Sequence, residues 1–367
     1  MLNGKYIAVV VPAFNEEKQI GRVIETIPEF VDRIVVVNDF STDKTREVVE
    51  TYLNDNQYSK TDVIISKKKV EKNFYNKAEI TLEKLNEEEI NYFIPSEVVN
   101  QNSDEERIIL INNKENGGVG AAIARGYKWC KDHQIDCTVV MAGDGQMDPE
   151  EVKKICSPVI FEDIDYVKGN RLIHGSAEIF IPKIRYIGNS VLSILTKIAS
   201  GYWRISDTQT GFTAISLAAL NAIKIYNIYP RYGMPNDLLV KLNIAYCTIR
   251  EIPIKPIYSI GEESKMKIHK VIPTISFLLF KSFFKRLWTK YFINDFHPLS
   301  VLYFISILLF ILCIPFGYNI IHYLTVDVAG ERPILNSIMF MFLFFNAFHS
   351  LLFAMWMDIQ DNERLYK

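Results

Sequence analysis

Four polar segments, each directly after a short apolar run, hold the residues of this chain that could do chemistry. They span residues 12–17, 38–45, 116–122 and 142–149. Gly117, Gly118 and Gly120 could open a helix, and the N terminus of a helix attracts phosphate. Asp144 stands between two glycines just after an apolar run, a setting that helix capping does not explain. Asp148, in contrast, is predicted to cap the helix that follows it.

The apolar runs that precede these segments read as strands. Residues 6–11, 33–37, 108–111 and 138–141 are short, rich in β-branched side chains and followed by helical patterns. Such strands alternating with helices predict an α/β fold with a parallel sheet covered on both faces. Ligands bind at the carboxyl ends of the strands in sheets of this kind. Residues 58–107 interrupt the pattern with a Lys- and Glu-rich stretch, which we interpret as a solvated insertion with a helix near residues 77–89.

Composition limits the classes of function. The chain has 367 residues, about two units by the usual prior of roughly 150 residues per domain. Its net charge of -2 excludes a protein held to nucleic acid by bulk positive charge. Hydrophobic residues at 49% and charged residues at 23% exclude wholesale disorder. Five cysteines without CxxC spacing argue against a disulfide scaffold and for reduced thiols in the cytosol.

Two stretches near the C terminus predict a transmembrane hairpin. Residues 299–324 and 334–357 contain no Asp, Glu, Lys or Arg, and each exceeds the roughly 20 residues that span a bilayer. A pair of buried core helices is the alternative. Cations that include Arg286 and Lys290 precede the first span, whereas the connecting loop holds one, Arg332. The positive-inside rule therefore predicts that both chain ends are cytoplasmic.

The segment before the hairpin is basic and aromatic. Residues 264–294 hold seven Lys or Arg and no acid. This predicts an interfacial amphipathic helix on an anionic bilayer surface, with adhesion alone, without a catalytic role, as the alternative. The expected units are a catalytic domain at residues 1–260, a basic juxtamembrane segment at 261–297, and the hairpin with a short cytoplasmic tail at 298–367.

The four polar segments in this order resemble the inverting family 2 glycosyltransferases. The resemblance covers about residues 5–260 and is strengthened by residues 169–171, 206–212 and 263–265. The C-terminal part resembles the polyprenyl-phosphate glycosyltransferases, which are similar to dolichyl-phosphate mannose synthase. The resemblance implies a Rossmann-like GT-A domain with a mostly parallel sheet, interfacial helices and a membrane hairpin.

Residue by residue, the resemblance implies a donor site with a metal ion. The implied nucleotide-binding residues are Pro12, Ala13, Asn15, Glu16, Asp39 and Gly118. Asp144 and Gln146 match the end of the family's metal signature and would hold Mg²⁺ or Mn²⁺ against the donor diphosphate. The first Asp of that signature is Ala142 here. One carboxylate, one amide and the substrate's own phosphates remain as ligands.

The resemblance also implies an acceptor site. Arg171, Ser264 and Lys265 match positions that would contact the acceptor phosphate, and Asp237 falls near a later acidic position. Asp144, Asp237 and Arg171 are the implied catalytic residues: metal ligand, general base for a hydroxyl acceptor, and cation facing the leaving diphosphate. A polyprenyl phosphate would need no base, because a phosphate monoester is largely ionised at neutral pH.

The predicted function is transfer of one sugar from a UDP- or GDP-sugar to undecaprenyl or dolichyl phosphate, by a membrane-anchored enzyme that binds no nucleic acid. A homo-oligomer is compatible with the sequence. One alternative is transfer to a hydroxyl of a lipid-linked saccharide or glycan. Another is a nucleotide-sugar-binding membrane protein whose catalysis has lapsed, with Ala142 as its mark. A dinucleotide-dependent oxidoreductase is disfavoured, because the glycines follow a later strand. Two helices are few for a processive polysaccharide synthase.

Overall fold

The computed structural model describes residues 1–61, 63–67, 70–173, 175, 183–257, 268–325 and 334–367. The strands are β1 (Ile7–Ala13), β2 (Arg33–Asn38), β3 (Ser96–Val98), β4 (Ile108–Asn113), β5 (Cys137–Val140), β6 (Tyr166–Asn170), β7 (Thr213–Ser216) and β8 (Ile249–Pro253). The helices up to residue 161 are α1 (Ile20–Thr26), α2 (Thr45–Asn54), α3 (Asn56–Ser59), α4 (Lys77–Glu88), α5 (Val119–Asp132) and α6 (Val152–Phe161). Those that follow are α7 (Lys183–Ser200), α8 (Leu217–Ala222), α9 (Met234–Ile244), α10 (Ile268–Trp288), α11 (Pro298–Thr325) and α12 (Ile334–Glu363). Short 3₁₀ turns cover Glu89–Tyr92, Pro149–Glu151 and Ile225–Asn227, and a π-helical segment covers Thr289–Asn294.

The described strands form one mixed sheet in the order β3-β4-β2-β1-β5-β7-β6-β8. The four strands predicted from sequence are β1, β2, β4 and β5, and they pair parallel to one another. β7 runs antiparallel between β5 and β6, and β3 is an antiparallel edge. The prediction of a mostly parallel α/β sheet is confirmed.

Buried side chains cover both faces of the sheet. Val10 and Val35 belong to a core that includes α5, whereas Val9 and Val36 belong to a core that includes α1 and α6. This alternation follows from the two-residue period of a strand. Full burial of one such side chain contributes about 1.5–3 kcal/mol. The two cores therefore stabilise the sheet on both faces, and so hold the ends of its strands together at one edge.

The predicted insertion is solvated along its helix and tied to the domain at its ends. α4 has no buried residue, in agreement with the prediction. Arg33, in contrast, is fully buried, and its Nη2 donates to the carbonyl oxygens of Val63 and Asp104, at 2.7 Å each. Ile65 joins the core beside α5. The insertion is therefore attached to the rest of the domain by residues on both sides of its solvent-facing helix.

The C-terminal helices form an antiparallel pair. α11 and α12 are long and apolar enough to cross a membrane by length and composition. Ser306 of α11 donates to the carbonyl of Ala347 on α12 at 2.9 Å. The helix bounds agree with the two predicted spans, and α12 runs six residues further, to Glu363.

Two cations expected among the basic residues before the first span are buried instead. Arg286 is fully buried and forms a bidentate pair with Asp358 of α12, at 2.7 and 2.8 Å. Lys290 is also buried, and its Nζ donates to Asn243 at 3.0 Å and to Asn362 at 2.6 Å. Sequence could not show this, because their partners lie about 70 residues away on another helix. These contacts join α9, α10 and α12.

The chain after α12 also packs on the sheet, along the edge strand β8. Ile249 of β8 donates its N–H to the carbonyl of Leu365 at 2.7 Å and accepts from the N–H of Lys367 at 3.0 Å. Leu365 is buried in the core beside α5. The tail expected beyond the hairpin therefore extends the edge of the sheet.

Candidate active site

The four polar segments meet at one edge of the sheet. Ala13 is paired with Asn38, and Asn38 with Asn112, so the carboxyl ends of β1, β2 and β4 lie side by side. β5 pairs with the other side of β1 and brings residues 141–149 to the same edge. Pro12 contributes its carbonyl oxygen, which accepts the N–H of Gly143 at 3.2 Å. All four segments therefore lie at the carboxyl ends of the strands, where ligands bind in sheets of this kind.

The first two segments are bonded to each other. Asn15 has a φ of +55°, and its Oδ1 accepts the N–H of Thr42 at 2.8 Å. The N–H of Asn15 donates to Ser41 Oγ at 3.0 Å, and the N–H of Glu16 donates to Thr45 Oγ1 at 2.8 Å. The predicted nucleotide residues Asn15 and Glu16 therefore shape this turn.

Asp39 holds the glycine segment in place. Its side chain is buried, and Oδ1 accepts from Asn113 Nδ2 at 2.8 Å and from the N–H of Gly117 at 3.0 Å. Oδ2 accepts the N–H of Gly118 at 2.7 Å. The carboxylate predicted to hold the base or ribose thus contacts the loop beside it, and a contact with nucleotide stays a prediction.

The glycines serve close packing of the backbone. Gly118 has a φ of +89°, and a Cβ added there would lie 2.7 Å from the carbonyl oxygen of Pro230. That oxygen accepts the N–H groups of Gly120 at 2.8 Å and Ala121 at 3.2 Å, at the N terminus of α5. The N–H groups of Gly120 and Ala121 are therefore already bonded to the carbonyl of Pro230. They are not available to bind a phosphate at the start of this helix.

Asp144 lies in a tight turn after β5. It is half-buried, and its Oδ1 accepts the N–H of Gln146 at 3.0 Å. Gly145 between them has a φ of +74°, which glycine adopts without strain. Asp148 Oδ1 accepts the N–H of Glu150 at 3.0 Å, so its predicted capping role is confirmed.

The residues of this turn fit a metal ion that arrives with its substrate. The described residues contain no group of three or more His, Cys, Asp or Glu that could hold a metal by itself. One carboxylate from Asp144 and one amide oxygen from Gln146 are hard ligands. Mg²⁺ is commonly bound through one or two carboxylates together with substrate phosphates. The donor set therefore suits a divalent ion shared with a diphosphate.

Arg171 is held by a buried carboxylate at the end of β6. Its Nε and Nη2 donate to the two oxygens of Asp207 at 2.8 and 3.0 Å. Burial acts to raise the pKa of the Asp207 carboxyl, but the Arg171 charge and hydrogen bonds outweigh it and hold that pKa below its ordinary value. The pair fixes the guanidinium, which stays partly exposed.

A polar network behind Arg171 was missed by sequence reasoning. Glu251 accepts the N–H groups of Ser206 and Asp207, each at 3.0 Å. Lys168 is buried, and its Nζ donates to the carbonyl of Thr210 at 2.6 Å. Burial lowers the pKa of Lys168 to about 8, against the nearby carboxylates. The sequence does contain a signal for this network, because two short apolar runs each include a charged residue.

Asp237 is bonded to residues outside the four polar segments. Its Oδ2 accepts the N–H of Tyr229 at 2.8 Å and pairs with the Lys241 ammonium, inside a cavity next to α10. The neighbouring Asn236 faces the other way, where its Oδ1 accepts from Gln209 Nε2 at 3.1 Å. The role of Asp237 as a general base stays a prediction.

Four buried amide atoms have no hydrogen-bond partner among the described residues; one is Asn86 Oδ1 on α4, and the other three lie on or next to the elements that carry the site. These three are Asn112 Nδ2 and Asn113 Oδ1 at the end of β4, and Asn236 Nδ2. A buried polar atom without a partner is costly, so a polar ligand atom is a natural partner for it. Two successive asparagines after an apolar run were the sequence signal. Ser264 and Lys265 lie outside the described residues.

The sequence matches a known family over more than half of its length. The model described as "Glycosyl transferase family 2" matches residues 8–73 and 95–223. This match and the mostly parallel mixed sheet confirm the predicted α/β GT-A class.

Two relatives and one solved structure illustrate the similarity. The UDP-N-acetylglucosamine–dolichyl-phosphate N-acetylglucosaminyltransferase of Methanococcus voltae is 27% identical over 256 residues, covering 70% of this chain and 87% of the relative. The dolichyl-phosphate beta-glucosyltransferase ALG5D of Trichomonas vaginalis is 25% identical over 308 residues, covering 77% and 76%. Glucosyl-3-phosphoglycerate synthase from Mycobacterium tuberculosis, solved with Mn²⁺ and UDP, matches at 17% identity with a TM-score of 0.46, covering 77% of this chain and 80% of that one.

Proposed function

Because this chain belongs to glycosyl transferase family 2, and is a glycosyltransferase, we propose that it moves a single sugar from a UDP- or GDP-sugar to a polyprenyl phosphate. The observation that carries the proposal is a pair of span-length helices packed onto a domain of this family. Relatives named for dolichyl phosphate, similar over 70% or more of this chain, support it further.

The donor would lie along the edge where the four segments meet. Asp144 and Gln146 would hold Mg²⁺ or Mn²⁺, which neutralises the charge of a departing nucleoside diphosphate. The unpartnered amide atoms of Asn112 and Asn113 would bond polar atoms of the nucleotide. Asp39 keeps the adjacent glycine loop in one conformation, so little ordering is left to be done on binding.

The acceptor would provide its own nucleophile. An ionised phosphate oxygen attacks the anomeric carbon as the bond from that carbon to the diphosphate breaks, which inverts the configuration. Arg171, oriented by Asp207, would stabilise phosphate charge at this step, and Ser264 and Lys265 would contact the acceptor phosphate. No general base is needed, which agrees with an Asp237 carboxylate already engaged by Lys241 and the Tyr229 N–H.

The enzyme would be anchored by α11 and α12 as two transmembrane helices. We place the catalytic domain and both chain ends in the cytoplasm, from the distribution of Lys and Arg around the spans. α10 would lie along the bilayer surface, because Phe277, Phe280 and Trp288 are exposed on it.

The test uses membranes that contain the full chain, undecaprenyl or dolichyl phosphate, and a panel of radiolabelled UDP- and GDP-sugars. We expect one donor to give an acid-labile product that extracts into organic solvent. This product should not form when EDTA is present during the reaction. Label transferred to a saccharide instead would favour the hydroxyl acceptor. In that case Asp237→Asn should cause a large loss of the transfer rate. Aqueous label with every donor would contradict transfer to lipid.

The lapsed-catalysis alternative is favoured by one observation, Ala142 at the first position of the metal signature. If the enzyme is active, Ala142→Asp should lower the Mg²⁺ concentration needed for half-maximal rate by about tenfold or more, since even indirect changes around a metal alter affinity about 10- to 100-fold. Ala142→Asn is the uncharged control. Donor binding without transfer in the natural chain, with transfer gained in Ala142→Asp, would establish the lapsed state.

A further inference from the structure

A basic cavity lies between α9 and α10, and it is lined by Asp237 but by none of the residues proposed to hold the nucleotide, the metal ion or the acceptor phosphate. We propose that it binds the phosphate group of an anionic membrane phospholipid. The inference rests on the membrane attachment in the proposed function, but it concerns a second ligand. It gives a role to lysines that the transfer reaction leaves unused.

The cavity has a volume of about 450 Å³. Its walls come from the 3₁₀ turn at residues 89–92 and the two residues after it, from α5, from residues 226–230, and from one side each of α9 and α10. Tyrosine and phenylalanine rings line the side opposite α10, where Tyr92 stacks on Tyr226 with ring centroids 4.9 Å apart. A small headgroup with the glycerol attached to it fits a space of this size.

The charge inside the cavity is positive. Lys241, Lys281 and Lys285 line it, against the single carboxylate of Asp237. Asp237 and Lys241 pair with each other, whereas Lys281 and Lys285 are exposed and form no ion pair within the described part of the chain. Lys241 and Lys285 line the same cavity. Burial lowers the pKa of Lys241 against the raising effect of Asp237, and the nearby Lys285 charge lowers it further. An anion between the two ammonium groups would relieve their repulsion.

The position on α10 indicates a lipid source for the anion. Lys281 and Lys285 are four residues apart and share one side of the helix, at about 3.6 residues per turn. The adjacent side carries Phe277 and Phe280, which are 71% and 63% exposed. Exposed aromatic rings beside lysines are typical of a helix at the bilayer surface, where the rings enter the lipid and the ammonium groups stay at the headgroups. The cavity would therefore open at the level of the phosphates.

The experiment measures binding to the full chain purified in a neutral detergent. The probes are dihexanoyl phosphatidylglycerol, the zwitterionic dihexanoyl phosphatidylcholine and inorganic phosphate, each titrated by calorimetry. The variant is Lys281→Gln with Lys285→Gln. The matched control is Lys153→Gln with Lys224→Gln, because these two lysines are exposed elsewhere on the domain.

We expect phosphatidylglycerol to bind the natural chain and the control alike, and to bind the Lys281/Lys285 variant about tenfold to thirtyfold more weakly. Each lysine near an anionic lipid contributes about a factor of five. Equal binding by all three proteins would overturn the site. Equally tight binding of inorganic phosphate would overturn the lipid assignment.

Sugar transfer measured on the same preparations separates this inference from the proposed function. We expect the Lys281/Lys285 variant to keep its KM for polyprenyl phosphate while losing phosphatidylglycerol binding. A raised KM with unchanged phosphatidylglycerol binding would mean that the cavity serves the acceptor, and would overturn the inference. If the natural chain transfers no sugar but still binds phosphatidylglycerol at these lysines, only the proposed function would be contradicted.

Discussion

At the scale of single residues, the donor edge is arranged by bonds between side chains and distant backbone groups. Asp144 could be chosen from sequence because it stands between two glycines just after an apolar run, and Asp39 through the family resemblance. The target of Asp39 could not, because the Gly117 N–H lies 78 residues further along the chain and the register of β2 with β4 decides their meeting. The same holds for Arg171 and its buried partner Asp207, which are 36 residues apart.

Replacing Asp144 tests the metal turn. Asp144→Asn removes the charge of the one carboxylate assigned to the ion, so we expect turnover to fall by about 100-fold or more, the scale of losing one strong electrostatic contact in a transition state. The measurement is the rate of transfer at saturating donor over a range of Mg²⁺ concentrations.

Asp148→Asn is the matched control for that change. It lies in the same segment, and asparagine caps a helix about as well as aspartate. We expect this variant to keep most of its activity. Equal rates for the two variants would contradict the assignment of Asp144.

Lys168 predicts a dependence of stability on pH. Its folded-state pKa is about 8, below the ordinary value of 10.5, so between these values the unfolded chain binds more protons than the folded one. Stability from this group therefore rises with pH across that window. We expect the Tm of the natural chain, relative to Lys168→Met, to rise between about pH 8 and about pH 10. A constant difference in Tm would show that Lys168 titrates normally. Lys153→Met, at an exposed site, should show no such trend.

At the scale of elements, sequence predicted the strands whose two faces are both buried. β1, β2, β4 and β5 are rich in β-branched side chains and were located to within two residues at each end. β6 and β8 were missed because each carries charged residues, buried on β6 and half-buried on β8, which depend on partners from elsewhere in the chain. Lys168 on β6 donates to Thr210, and Glu251 on β8 accepts from Ser206. Tertiary contacts, rather than local preference, form these strands.

The junction of α10 with α12 can be tested through its buried ion pair. Arg286→Met alone leaves Asp358 buried without its cation, so we expect a loss of about 3–5 kcal/mol in the free energy of unfolding. Thermal unfolding of the full chain in detergent gives the measurement, and the exposed Lys285→Met serves as the control.

The double variant Arg286→Met with Asp358→Leu should recover at least half of that loss, because neither charge remains buried. Recovery would be incomplete, since Arg286 also donates to the carbonyl oxygens of Ile198 and Ala199. A double variant as unstable as the sum of its single variants would contradict a direct interaction between the two residues.

At the scale of the whole molecule, the C-terminal helix pair α11 and α12 and the domain that carries the sheet are packed together. A division at residue 298 follows from composition, since charged residues vanish there. The structure links the two sides of that division through Asp358, Asn362 and Leu365, which contact α10, α9 and β8. A hydropathy pattern indicates whether a segment favours water or an apolar surrounding. It carries no information about which distant residues the segment contacts.

Deleting residues 298–367 should therefore cost more than membrane attachment. The truncated chain leaves Arg286 and Lys290 without their partners on α12 and the edge of β8 unpaired. We expect it to aggregate or lose nucleotide binding, measured by ultracentrifugation and by titration with UDP and GDP. Adding Arg286→Met and Lys290→Met to the truncated chain should restore part of the soluble fraction. A truncated chain that binds nucleotide like the full one would show that the domain is independent.

The pairing of β8 with residues 365–367 has a consequence for biosynthesis. A ribosome makes β8 about a hundred residues before the segment that covers its edge. Both apolar helices emerge in between, so the edge of β8 stays open until they have been made and, under the proposed membrane anchoring, inserted into the bilayer. Unpaired strand edges promote aggregation. If the helices span a membrane as proposed, delayed insertion should therefore cause misfolding of the domain that carries β8.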